Sequence, residues 1–354
     1  MSITALTAGW DALVNTAFLV EFLSEGRWPL LSLMTARPSV RPFPLRVGGQ
    51  IVPADLYEGR ALRASPPLIL VHGLSPEGKN HPQLQAAARL MARRGRSVLV
   101  PTLPGLTRLR LRPAEAEPIV QAIEAMARQG HNEVVLLGVS VGAGPALLAA
   151  ADSRVAGSVR ATLTLGGYAS AVELLRFFLT GAYRYGDVRG RVPPFPEGAR
   201  LFLRENLDLL KSPEDRRLLD RWLQRPDSPP PSGLSSAGTA VVRLVENRDP
   251  ERIEPLVRAL PAELQSLMDV LSPERVTGRL KGRLFLVHGR NDPAVPFTES
   301  LRLADAGRGS VPTRLVILGA VAHVEPDHPR LGRGEMTWEL LQLWALTHAF
   351  FQTR

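Results

Sequence analysis

The stretch LLGVSVGAGPALLAA, residues 136–150, decides how the rest of the chain is read. The stretch EVVLLG (133–138), aliphatic from Val134 to Leu137, has the length and composition of a buried strand. The Ala- and Leu-rich tail that follows is built from strong helix formers. Between them stands a serine with a glycine two positions away on each side, Gly138-Val139-Ser140-Val141-Gly142. This is G-x-S-x-G at a strand-to-helix junction, the context that separates a nucleophile elbow from a chance match. The sharp turn lifts Ser140 above the sheet edge. Gly138 and Gly142 let neighbouring backbone approach without a Cβ clash. Pro145 sits near the helix start, where a missing N–H costs little. The helix N-terminus aims its free N–H groups and positive dipole end at any anion formed on the serine.

Outward from this junction, short Val/Leu/Ile runs alternate with helical patterns. PLILVHG (67–73), SVLVPTLPG (97–105) and EVVLLG (133–138) read as strands, as do ATLTLGG (161–167), RLFLVHG (283–289) and TRLVILG (313–319). Residues 81–95, 114–130 and 337–352 carry helical patterns, the first two closed by glycine. Near-continuous apolar strands separated by helices predict an α/β fold with a mostly parallel sheet covered on both faces. The predicted organisation is an N-terminal helix and extension over 1–45 and a core over 46–167 and 282–354. A mostly helical insertion over 168–281 would cap that core. That insertion contains the breaker-rich RPDSPPPSGLSSAG (225–238), a surface loop. Its opening, YASAVELLRFFLTGAYRY, is rich in Leu, Phe and Tyr, so it is expected over Ser140 as an apolar substrate pocket.

A serine hydroxyl needs a base and a group to orient that base. In this topology the partners follow in the order acid, then histidine. Asp292, just past RLFLVHG, is the candidate acid. His323, in LGAVAHVEPDHP just past the next strand, is the candidate base, with His328 as the alternative.

With these motifs in place the chain resembles the α/β-hydrolase superfamily. The likeness rests on VHG (71–73), GVSVG (138–142), HGRNDPAVP (288–296) and His323, and it covers most of the chain outside the N-terminal helix and the insertion. It implies a serine nucleophile at Ser140 and an oxyanion hole formed by the backbone N–H groups of Leu74 and Val141. It also implies structural rather than catalytic roles for His72 and His288. The family's glycine-to-histidine spacing is often shorter than in GAVAH, which keeps His328 in play. A serine in the elbow, where the dehalogenase and epoxide hydrolase branches carry aspartate, points to acyl transfer. The expected reaction is hydrolysis of a small-molecule carboxylic ester with an apolar acyl or alcohol group. Amidase, peptidase, thioesterase or acyltransferase chemistry on the same triad, or a non-catalytic binding protein on the fold, are the alternatives.

Composition bounds these readings. The chain has 354 residues, 45% hydrophobic and 22% charged, which fits an ordinary globular protein with ample core. It has no cysteine, so disulfides and thiolate metal sites are excluded, and no metal or organic cofactor is implied. The net charge is +9, with only three lysines (Lys79, Lys211 and Lys281), so arginine supplies nearly all the positive charge. The arginines are scattered and no nucleic-acid motif accompanies them, so no nucleic-acid partner is expected. ALTAGWDALVNTAFLVEFLSEG (5–26) is apolar but interrupted by Asp11 and Glu21, too short a run for a membrane span. It has no charged leader or cleavage site, so a cytoplasmic location is expected. Leu6, Trp10, Leu13, Val14, Ala17 and Phe18 recur at helical spacing. They predict an amphipathic helix packed on the body or on a second subunit, with peripheral membrane contact as the alternative.

Overall fold

The computed structural model describes residues 3–60, 65–319, 321–322, 325–326 and 332–353. Among these, eight strands form one sheet: β1 (Ser39–Pro42), β2 (Ala54–Glu58), β3 (Leu68–Val71), β4 (Val98–Pro101), β5 (Val134–Val139), β6 (Val159–Leu165), β7 (Arg283–Gly289) and β8 (Thr313–Leu318). The order across the sheet is β1-β2-β4-β3-β5-β6-β7-β8. From β4 to β8 every neighbouring pair is parallel, while β1 and β2 join antiparallel at one edge. The core sheet therefore begins at Ser39, ahead of the boundary expected at 46. All four residues of β1 are exposed, so its sequence carries no apolar alternation by which to recognise it.

The parallel strands are apolar on both faces because both faces are covered. Ile69, Val71, Leu136, Leu284 and Leu286 join one core cluster. Their neighbours Leu68, Leu70, Leu137, Phe285 and Val287 point to the other. The second face is covered by α1 (Ile3–Leu23), α2 (Leu30–Met34), α3 (Pro82–Arg93) and a C-terminal helix, α7 (Arg333–Phe351). On the first face lie α4 (Glu117–Arg128), α5 (Ala143–Ala150) and Leu303 of α6 (Thr298–Ala306).

The segment 168–281 contains the helices Ala171–Thr180, Pro196–Arg204, Pro213–Leu223, Ser236–Glu246, Ile253–Arg258 and Ala262–Val270, and a small hairpin, Ala182–Tyr185 with Val188–Arg191. It adds no strand to the eight-stranded sheet. Its apolar residues merge with the first core cluster.

Helix α1 packs against α7. Val14, Ala17, Phe18 and Leu19 are buried, and Asn15 donates its side-chain amide to the Trp344 carbonyl (3.2 Å) and the Thr347 hydroxyl (3.3 Å). The expected apolar stripe is split, because Trp10 and Leu13 stay exposed. Gln352, the C-cap of α7, donates to Asp11 (2.9 Å), one residue from the exposed Trp10. Among the described residues no helix is long and apolar enough to cross a membrane.

Candidate active site

The parallel register brings the C-terminal ends of the central strands level. Val71 pairs with Gly138, Val139 with Leu165, and Leu165 with Val287. Ser140 follows β5 directly and opens a tight turn, Ser140–Gly142, that leads into α5. Its φ is +52°, in the left-handed region that costs a non-glycine residue about 1–2 kcal/mol. The surroundings hold it there. A Cβ at Gly138 would lie 2.6 Å from Cα of Ala143, and one at Gly142 would lie 2.1 Å from the His72 carbonyl oxygen. Either substitution would force the turn apart. The Ala143 N–H donates back to the Ser140 carbonyl and closes the turn. Ser140 is half-buried, so its hydroxyl sits between the core and a space a ligand can reach.

The loop carrying Leu74 lies against this turn, since a Cβ at Gly73 would be 3.2 Å from Cβ of Ser140. His72 braces it. Its Nε2 accepts from the Leu103 N–H (2.9 Å), which leaves Nδ1 protonated to donate to the Gly73 carbonyl (2.7 Å). Burial lowers its pKa, which favours this neutral form. His72 thus ties the end of β3 to the loop after β4. It positions Leu74 and stands in no place to take a proton from Ser140.

Asp292 is buried in the loop after β7, with Oδ1 accepting from the N–H groups of Ala294 and Val295 at 2.8 Å each. That loop is shaped by the fully buried His288. Its Nε2–H donates to the Val295 carbonyl (2.9 Å) and lies 3.4 Å from Asp292 Oδ2, while Nδ1 accepts from the Ser300 hydroxyl (2.7 Å). His288 is spent on positioning.

His323 and His328 both lie outside the described residues. What leads to them is described. The Arg290 N–H donates to the Leu318 carbonyl (2.7 Å), which joins the Asp292 loop to the end of β8. The Gly319 N–H donates to the Glu339 carboxylate of α7, 2.9 Å from each oxygen. Val321–Ala322 then pairs antiparallel with Glu325–Pro326. Sequence reading passed over Glu339, although it is an acidic residue inside the apolar run TWELLQLWALTHAFF, which could have marked it. Among the described residues, no group of three or more His, Cys, Asp or Glu could hold a metal ion.

A cavity of about 700 Å³ opens beside Ser140, Gly73 and Leu74. It does not lie under the segment 168–281, and no described residue of that segment lines it. Its walls are α1, α3, α7 and the second face of the sheet. The apolar opening of the insertion packs instead into the first core cluster, where Leu174, Leu175 and Leu179 are buried.

The comparisons with known proteins agree with this architecture. The acylaminoacyl peptidase of Pyrococcus horikoshii is similar over 91% of this chain and 43% of its own, with 14% identity and a TM-score of 0.53. A puromycin-hydrolyzing peptidase of Mycobacterium tuberculosis is similar over 90% and 40%, with 17% identity and a TM-score of 0.55. The dienelactone hydrolase of Anabaena variabilis aligns over 88% of this chain and 99% of its own, with 16% identity and a TM-score of 0.45. The chain spans less than half the length of the two peptidases, and at these identities the likeness to those two is one of fold. No curated protein matches the chain. The family model described as the alpha/beta hydrolase family matches residues 68–331, from β3 past the last strand, and the chain belongs to that family.

Proposed function

We propose that this protein is a serine hydrolase that cleaves a carboxylic ester with an apolar acyl or alcohol group. The observation that carries the reading is Ser140 itself. It sits in a left-handed turn between two glycines with no room for a Cβ, at the end of a central strand and at the rim of an apolar cavity. Strain of this kind persists only where the surroundings over-determine it, and it presents the hydroxyl at the start of a helix.

In the proposed cycle the Ser140 Oγ attacks the ester carbonyl carbon while its proton passes to His323, with His328 the alternative base. Asp292 orients the imidazole and offsets the charge it gains. The N–H groups of Leu74 and Val141 receive the oxyanion. Collapse breaks the C–O bond, and the base gives its proton to the departing alcohol. Water, deprotonated by the same base, then attacks the acyl-enzyme and releases the acid and the Ser140 hydroxyl. The apolar character of the cavity favours an ester over a peptide, whose buried amide groups would need hydrogen-bond partners.

A fluorophosphonate probe should label the wild-type protein at Ser140 and leave Ser140→Ala unlabelled. In a panel of matched ester, amide and thioester substrates the ester should be cleaved fastest. Ser140→Ala should lose on the order of 10⁴-fold or more in kcat. Labelling elsewhere, or esterase activity largely retained in Ser140→Ala, would remove the assignment.

A further inference from the structure

We infer that the cavity between α1, α3, α7 and the sheet is the binding site for a long, unbranched alkyl chain of the substrate. The N-terminal helix is then a wall of the specificity pocket. This rests on Ser140 being the nucleophile of an ester hydrolase.

Four observations carry it. The first is position. Ser140, Gly73 and Leu74 line the same cavity as Leu343 and Phe350 of α7. A chain attached to a carbonyl at Ser140 therefore has this space beside it.

The second is size. Protein interiors are close-packed, with few voids larger than a water molecule, so about 700 Å³ is no packing defect. At the ~30 Å³ one water occupies in the liquid, it has room for on the order of 20 methylene-sized groups.

The third is chemistry. The floor is aliphatic (Leu137, Leu163 and Val287), and Phe18 and Phe22 of α1 close over it. No arginine or lysine is among its described lining residues, in a chain with 43 of them. Its two acidic lining groups are Glu21 and Glu25, and Glu21 is held by the Ser32 N–H (2.8 Å) and hydroxyl. Among the described lining residues an anionic group meets no arginine or lysine, only the imidazoles of His72 and His81, so the part of the substrate that enters is neutral and apolar.

The fourth is exclusivity. The segment 168–281 contributes no described residue to the lining, so the chain is selected by the N-terminal helix and not by the insertion.

The test uses the full chain and two substrate series. One is p-nitrophenyl alkanoates from acetate to palmitate, which lengthen the acyl side. The other is n-alkyl acetates, which lengthen the alcohol side. In one series, which identifies the side that enters, kcat/KM should climb by up to about fourfold per methylene until the cavity is full. Ala87→Phe places a ring into the cavity from α3. It should shorten the preferred chain, so that the rate on the longest ester falls by about tenfold or more relative to that on acetate. A second measurement needs no folded cavity variant. An ester with a twelve-carbon chain on the side so identified, carrying a diazirine at the far end of that chain and photolysed on Ser140→Ala, should crosslink to α1, α3 or α7. Crosslinks within 168–281, or none, would overturn the inference. So would a decline from acetate onwards in both series. If Ser140 is labelled and acetate is hydrolysed in those cases, the esterase reading still stands. Crosslinks under α1 in a protein that hydrolyses no ester would do the reverse, keeping the cavity and removing the reading.

Discussion

Helix α1 and the segment 168–281 are both additions to the parallel-sheet core, and both are rich in Leu, Phe and Val. They spend those residues differently. The helices of 168–281 pack on one another and on the first face of the sheet, and Leu179, Leu219, Val241, Leu244, Ile253 and Leu271 are completely buried. Helix α1 lies across the second face with α3 and α7, and these helices and the sheet wall the cavity. Apolar content alone therefore does not say where a ligand goes. A segment whose side chains satisfy one another has no room left, whereas a single helix bridging two others can roof a space it does not fill. The insertion reads as the pocket from its sequence, and the N-terminal helix reads as a packing element. The geometry sets the cavity beside Ser140 against the helix and not against the insertion.

The comparison sharpens if each region is perturbed and both stability and chain-length preference are measured. Trp222→Ala strikes the interior of the insertion. Its ring is buried, its Nε1–H donates to the Ser228 carbonyl (3.1 Å), and the Arg200 guanidinium lies 4.7 Å above it. Loss of this side chain should cost about 3–5 kcal/mol in denaturant unfolding. Wherever the variant remains folded, its preference among ester chain lengths should match the wild type. A changed preference would mean that the insertion shapes the pocket.

The insertion is also tied to the core through a group that titrates. Glu299, at the start of α6, is fully enclosed and accepts from the N–H groups of Ala169 (2.9 Å) and Ser170 (2.8 Å), where the insertion begins. Burial pushes its carboxyl up to about 7, against the hydrogen bonds and the Arg302 guanidinium that favour the charged form. A carboxyl raised in the folded state binds its proton more tightly there than in the unfolded chain. Its contribution to stability is present in full below pH ~4.5 and is lost as pH rises through about 7. The loss is up to about 3 kcal/mol across that window. Glu299→Gln keeps an oxygen for the two N–H groups and should flatten the slope between pH 5 and 7. An unchanged slope would place the pH dependence elsewhere.

Phe18→Ala strikes the roof of the cavity. Phe18 stacks 5.8 Å from Phe22 and meets Phe351 edge-on at 5.2 Å, but one side of it already fronts empty space. The stability loss should be about 2 kcal/mol, below the usual range for a buried phenylalanine, because fewer contacts are forfeited. Its effect on function should exceed that of Trp222→Ala, with long esters losing rate relative to acetate. A stability loss as large as that of Trp222→Ala, with the preference intact, would make α1 a packing element after all.

Much of the architecture was legible before any coordinates. The runs 68–71, 134–139 and 283–289 are apolar at every position but their ends, as strands buried on both faces must be. The G-x-S-x-G turn announces itself because only glycine tolerates the approaches measured at Gly138 and Gly142. The exposed edge strand Ser39–Pro42 was invisible, since a strand with no buried face carries no alternation. Glu299 and Glu339 were passed over for a related reason. Each is a single acid on a helix, and nothing local tells a solvated carboxylate from one that receives backbone N–H groups from a residue 20 or 130 positions away.

By itself, then, the sequence determined the six parallel strands and the G-x-S-x-G turn, because those depend on periodicity and on sterics between near neighbours. Which histidines are structural, which carboxylates anchor loops and which helix roofs the cavity were decided only by tertiary structure. Hydrogen bonds between distant segments, and the volume left between helices that do not quite meet, depend on three-dimensional placement and leave no mark on any one stretch of chain.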